Sequence, residues 1–177
     1  QNVTEGRSWN VSLVLPGVPG TNEAVLELSA MPPLDLARRL PELLRYPHGC
    51  IEQTTSAVFP QLYLTKLEKL SSAEQRRVET NVRAGLTRLR TFQNGDGGFG
   101  YWPGTPSDGW GTTYGGHFLL EAERAGHPAP AGMKAAWVKY QQQRAARWVK
   151  EGEDSDLEQA YRLYTLAAGS NELDIAK

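Results

Sequence analysis

The sequence predicts a mainly α-helical chain preceded by a short β segment, and three observations carry that prediction. Apolar and polar residues alternate from Trp9 to Leu15, a second apolar run spans Ala24 to Leu28, and both end on proline-rich breaks. From Leu34 onward leucines recur at helical spacing. Two Ser-x-x-Glu boxes, Ser71 with Glu74 and Ser155 with Glu158, have the pattern that opens helices by satisfying their first free N–H groups.

The elements follow in order. Two strands do not make a stable unit by themselves. Residues 1–31 must therefore pair with further chain or another molecule, or lie as a flap on the helical part. Leu34, Leu36, Leu40, Leu43 and Leu44 keep one apolar face, with Pro41 opening a new turn or kinking the old one. Glu52 to Phe59 reads as a helix interrupted at Pro60, and Leu62, Leu64, Leu67 and Leu70 continue its stripe. The Ser71 box opens a helix carrying Val78, Val82, Leu86, Leu89 and Phe92, stopped by Asn94-Gly95. Residues 93–104 hold five glycines and three aromatics, which predicts a turn-rich loop with packed rings. No lysine at a helix start follows, so the glycines do not read as a phosphate cradle. Asp108 to Tyr114 opens a helix that runs through Phe118 and Ala122 to Gly126, and Met133, Ala136, Trp137 and Tyr140 lie on the next. Phe92-Gln93 and Tyr140-Gln141 stand 48 residues apart, which hints at a repeat of two helices and two loops. The acids of 151–156 suit the first turn of a last helix, ending at Gly169, better than a metal site.

Bulk properties exclude several classes. The chain has 177 residues, enough for one domain with a core, and its 19 basic and 20 acidic side chains nearly cancel. That balance points to neither nucleic acid nor an anionic membrane as partner. No apolar run has transmembrane length, and a single cysteine excludes an internal disulfide. The start at Gln1 reads as that of an excised internal fragment. Asn2-Val3-Thr4 and Asn10-Val11-Ser12 are formal glycosylation sequons but read as plain surface residues.

The chemistry concentrates at Tyr46-Pro47-His48-Gly49-Cys50-Ile51-Glu52-Gln53. Cys50 and Gln53 sit i and i+3, which on a helix places their side chains on one face. A thiolate there can attack the Gln53 carboxamide, expel ammonia and leave an internal thioester, an acyl group ready for an incoming nucleophile. Gly49 offers a tight turn without a Cβ to obstruct the closure. Pro47 stiffens the approach and biases Tyr46 away from helix. The competing reading is a buried structural cysteine.

Gly-Cys-x-Glu-Gln is the thioester signature of the alpha-macroglobulin and complement superfamily, and the run from Tyr46 to Ser56 most resembles its bacterial alpha-2-macroglobulins. The resemblance implies Cys50 and Gln53 as the bonded pair, Tyr46 as the aromatic shielding the bond from water, and Gly49 and Glu52 as supporting motif residues. Glu52 either orients the amide or faces solvent. The resemblance also implies a partial α/α-toroid over 32–177, the thioester domain, after CUB-like leading strands over 1–31. It implies a single-use trap for proteases captured through lysine amines, needing no cofactor and no metal. The trap would work within a larger parent chain, periplasmic or otherwise extracytoplasmic and membrane-anchored, and a half-ring of helices would expose apolar faces that favour self-association. The Gly-Gly-Phe-Gly-x-Trp loop also resembles those of terpene cyclases and prenyltransferases. However, Glu153-Asp154-Ser155-Asp156 only approximates the cyclase acid motif. A third reading is a relative that folds alike and never forms the bond. Some complement relatives use a downstream histidine to direct the acyl group to hydroxyls. Near Leu157 to Tyr161, where it would fall, none stands, and His117 reads as packed or surface, so direct attack by amines is expected.

Overall fold

In the structure, a computed structural model, Ser71 closes its capping box. Its hydroxyl accepts the Glu74 N–H at 3.3 Å, and Glu74 Oε2 accepts the Ser71 N–H at 2.7 Å. Residues 36–150, 152 and 155–169 are described, with Asn10, Ser12 and Thr21. The chain divides into two compact units, Gln1–Leu34 and Asp35–Lys177. The second is the one described below. The strands expected over residues 1–31 fall almost wholly outside the described residues.

The second unit is helical. Helix α1 spans Leu36–Leu43, with Pro41 in its last turn. There the missing N–H and the ring leave the helix only two further residues. Helix α2, Ile51–Val58, ends ahead of Pro60, and a 3-10 turn (Pro60–Tyr63) leads into the single turn α3 (Leu64–Leu67). The longest helix, α4, runs Ser72–Phe92 from the Ser71 box. Asp108 caps α5, Gly109–Arg124, by accepting the Gly111 N–H at 2.6 Å. Helices α6 (Met133–Ala146) and α7 (Ser155–Gly169) complete the order. Between α4 and α5 the glycine-rich loop is pinned by isolated bridges, Gln93 to Phe99 and Gly100 to Ser107. Phe99 between them is wholly buried.

Helix α2 packs on both α4 and α5, α5 packs on α6 and α7, and α6 packs on α7. Ile51, Val58, Leu89, Phe92, Phe118 and Trp137 are fully buried at these seams. Trp137 is seated directly on the backbone of α5. Its Nε1 donates to the Thr112 carbonyl at 2.8 Å, and a Cβ added at Gly116 would stand 2.0 Å from the ring. Only glycine allows that approach.

Three apolar side chains of α7 turn outward: Leu157, Leu163 and Tyr164 are 65%, 51% and 57% exposed, while Gln159, Arg162 and Thr165 are buried. The inward face is built around the Arg162 guanidinium, which donates to Gln141 Oε1 (3.1 Å) and Gln159 Oε1 (2.6 Å) and pairs with Glu158. A buried charge is tolerable only when its donors are matched in this way. Glu158 is thus paired within the helix, and the Ser155 hydroxyl donates to the Gly152 carbonyl. The expected 48-residue correspondence fails. Gln93 lies past the end of α4 and donates to the carbonyls of Met133 and Gly97, whereas Gln141 is buried within α6 and donates to Thr113 Oγ1. The two glutamines occupy different places in their helices.

Candidate functional site

The Tyr46–Gln53 stretch forms the turn into α2. Pro47 is buried, and Gly49 turns the chain at φ +87, a conformation that side chains with a Cβ rarely adopt. Cys50 follows in extended conformation as the N-cap of α2 and is 4% exposed. Gln53, at the third helical position, folds back so that its Oε1 accepts the Cys50 N–H at 3.1 Å. Its carboxamide rests against the bare face of Gly49. A Cβ there would stand 2.0 Å from Oε1 and 2.9 Å from Cδ. Cysteine and glutamine thus take the places that serine and glutamate hold in an ordinary capping box, with a nucleophile in place of the hydroxyl and an acyl donor in place of the acid.

The turn is held from two sides. From α4, Arg88 Nη2 donates to the Gly49 carbonyl at 2.6 Å and Nε to Thr54 Oγ1 at 3.0 Å, with the guanidinium 5.4 Å from the Phe92 ring centre. From the glycine-rich loop, the Tyr101 carbonyl accepts the Ile51 N–H at 3.1 Å, and the Tyr101 hydroxyl donates to Glu52 Oε2 at 2.7 Å. Glu52 therefore neither orients the Gln53 amide nor stands free in solvent; its carboxylate is tied to Tyr101. Neither Arg88 nor Tyr101 is marked in the sequence as part of the site. Arg88 reads there as one of many charges on an amphipathic helix, and Tyr101 as one ring of a packed loop.

Arg88→Met keeps the aliphatic stem and removes both charge-assisted bonds. It is expected to cost about 1–3 kcal/mol, because the Gly49 carbonyl and Thr54 hydroxyl lose their donor together. Urea denaturation checks it, and an unchanged midpoint would mean that the turn holds itself.

Beside Gln53 opens a cleft of about 340 Å3 lined by Tyr46, His48, Ser56, Pro60 and the end of α1. Cys50 is almost wholly buried, and Gln53 is exposed. Tyr46 stands on the rim of this cleft, 60% exposed. His117 lies elsewhere, between the end of α2 and α7. Its Nδ1 is 2.9 Å from the Tyr161 hydroxyl, and its ring meets Phe59 edge-on at 5.0 Å. Burial holds its pKa below the ordinary histidine value. Trp102 packs edge-on against Tyr101, and Trp110 lies against Tyr114 and Tyr161; both tryptophans are exposed. Among the described residues no cluster of acids, histidines and cysteine could hold a metal.

Comparison with known proteins bears on the whole unit. The family model of the A-macroglobulin TED domain matches residues 25–157. The alpha-2-macroglobulin of Escherichia coli (strain K12) is 39% identical over 119 residues, 63% of this chain and 7% of that protein. That of Xylella fastidiosa (strain Temecula1) is 30% identical over 131 residues, 71% of this chain and 8% of that protein. The chain thus spans less than a tenth of the length of these relatives. The crystal structure of native E. coli alpha-2-macroglobulin from domain MG7 to the C-terminus superposes with a TM-score of 0.65 at 29% identity, over 78% of this chain and 24% of that one. Salmonella alpha-2-macroglobulin reacted with methylamine gives 0.63 at 30% identity, over 77% and 10%. The match runs from ahead of the cysteine turn into the first residues of α7, and on that extent the chain belongs to the A-macroglobulin TED domain family.

Proposed function

We propose that this chain is the thioester-bearing domain of a bacterial alpha-2-macroglobulin and captures attacking proteases covalently. The observation that carries the reading is the Gln53 carboxamide, folded over Gly49 and held by the N–H of Cys50 itself. In the proposed reaction the Cys50 sulfur attacks Gln53 Cδ, the C–N bond breaks and ammonia leaves, giving the thioester. A lysine amine of the captured protease then attacks the same carbon. The C–S bond breaks, an amide forms, and the sulfur leaves with its electron pair while the surplus ammonium proton passes to water. The bond is spent in one event, so the protein is an inhibitor without turnover. No cofactor enters any step.

Other parts of the reading follow from it. Tyr46 at the rim of the cleft is the candidate shield against hydrolysis. Helices α4–α7 would form part of an α/α-toroid completed by the parent chain, whose further segments or a second copy would cover Leu157, Leu163 and Tyr164. The parent would sit in the periplasm, anchored to the membrane. His117 is engaged by Tyr161 and Phe59, which supports reading it as a packed residue, and we propose amines rather than hydroxyls as the acceptors.

Intact mass before and after methylamine tests the reading. The expected result is one ammonia missing from the sequence mass in untreated full-length protein. Treatment should then add one methylamine and expose one thiol. A full sequence mass that methylamine leaves unchanged would make this a relative that folds alike without forming the bond. Preferential transfer to glycerol over methylamine would overturn the assignment of amines.

A further inference from the structure

We propose that the Gly49–Cys50 peptide is the oxyanion donor of this acyl transfer, and that Arg88 is the positioning residue that polarises it. The inference deepens the thioester reading and rests on it. Its ground is a pair of hydrogen bonds that run through one peptide unit. At one end, Arg88 Nη2 donates to the Gly49 carbonyl at 2.6 Å. At the other, the Cys50 N–H donates to Gln53 Oε1 at 3.1 Å. A trans peptide holds its C=O and N–H on opposite sides, so the two bonds lie in series and do not compete. The bare face of Gly49 lets the oxygen seat there, since a Cβ would stand 2.0 Å from it. Arg88 is itself fixed, by its second bond to Thr54 Oγ1 at 3.0 Å and by the Phe92 ring against its guanidinium.

Both proposed steps pass through a tetrahedral carbon at Gln53 Cδ. When the sulfur, and later the amine, adds there, the carbonyl π pair moves onto Oε1 and leaves it negative. The pair returns and the carbonyl reforms when the C–N bond breaks in the first step, or the C–S bond in the second. Ammonia carries off the thiol proton in the first step, and the amine's surplus proton passes to water in the second. A donor 3.1 Å from that oxygen stands within the range an oxyanion hole requires. Hydrogen bonds to an ionised acceptor are shorter and roughly twice as strong as neutral ones, so this bond tightens as charge builds. It therefore favours the transition state over the ground state. Arg88 adds to this from behind. A cation on the Gly49 carbonyl draws electron density through the peptide and makes its N–H a stronger donor, as hydrogen bonds in a chain polarise one another. The guanidinium does not titrate, so the effect holds at any physiological pH.

Arg88→Met in the full-length protein leaves the Cys50 N–H in place and removes the cation behind it. Methylamine should then react about tenfold more slowly, short of the roughly hundredfold or more that follows outright loss of an oxyanion donor. The readout that a merely bracing arginine would not move is the infrared stretch of the thioester carbonyl. It is isolated as the difference between untreated and methylamine-reacted protein carrying isotope-labelled glutamine. With the donor weakened, the band should move to higher wavenumber in the variant. If Arg88→Met folds without forming the bond, Arg88→Lys decides, because it returns a cation to the Gly49 carbonyl. Recovery of the thioester in Arg88→Lys supports the role, and its continued absence overturns it. A variant with the wild-type rate, or a slower one whose carbonyl band does not move, overturns the role and leaves the thioester reading standing. A wild-type protein that takes up no methylamine overturns the thioester reading, and this inference with it.

Discussion

Replacing Gly49 with alanine is expected to leave the protein folded and its Cys50 thiol free. Two separate physical terms set this outcome. The first is backbone strain: at φ +87 an alanine costs about 1–2 kcal/mol relative to glycine, well within the stability of an ordinary domain. The second is steric. The new methyl would stand 2.0 Å from Gln53 Oε1 and 2.9 Å from Cδ, and no bonded structure tolerates either. The clash is with the end of a flexible, exposed side chain, so the chain relieves it cheaply by swinging the carboxamide into solvent. The same movement removes the acyl carbon from the sulfur and breaks the bond to the Cys50 N–H. A misplacement of about 1 Å costs a reaction of this kind about a hundredfold. Gly49→Ala should therefore show a thermal midpoint a few degrees low, a mass with no ammonia lost, and a thiol that titrates without methylamine. A normal thioester in this variant would mean that the packing of the carboxamide on Gly49 has no part in closure.

The contrast between small stability cost and large chemical cost separates what could be read in the sequence from what could not. Helix starts were legible because capping is local: the Ser71 box, Asp108 ahead of α5 and Pro60 after α2 act over three or four residues, and each lies where its pattern puts it. The juxtaposition of Cys50 and Gln53 is equally local, an i and i+3 relation on one helix start. What surrounds that pair comes from far along the chain. Arg88 reaches the Gly49 carbonyl across 39 residues and Tyr101 reaches Glu52 across 49, and no spacing rule spans such distances. The same limit explains α7. Leu163 and Tyr164 are exposed while Arg162 beside them in sequence is buried, because Gln141, 21 residues earlier, offers it a buried acceptor. A long-range polar partner decided which face turned in, and local hydrophobicity did not.

The largest effect on stability is expected from Trp137→Ala, and it tests how the site is braced from behind. Trp137 is fully buried, and its removal deletes the knob that joins α6 to α5, along with the bond from Nε1 to the Thr112 carbonyl. Truncating a buried tryptophan to alanine costs about 3–5 kcal/mol, a large share of the roughly 5–15 kcal/mol that holds a domain together. A substantial fall in the urea midpoint should follow, and at 37 °C the variant should lie near the edge of folding. The mechanism is separable by a second position. Gly116→Ala in the native background drives a methyl to 2.0 Å from the indole ring and should cost about 1–3 kcal/mol through overpacking. In the Trp137→Ala background the ring is gone and the same methyl enters the vacated space, so its cost should fall towards zero or change sign. The coupling between the two should therefore be 1 kcal/mol or more, about what residues in direct contact show. Strict additivity would mean that α5 and α6 are not held together at this point. The consequence reaches the chemistry because α5 packs against α2 and Ile51, the residue after Cys50, is buried in the same core. Loosening α6 should therefore loosen the support of the cysteine turn before the turn itself is altered.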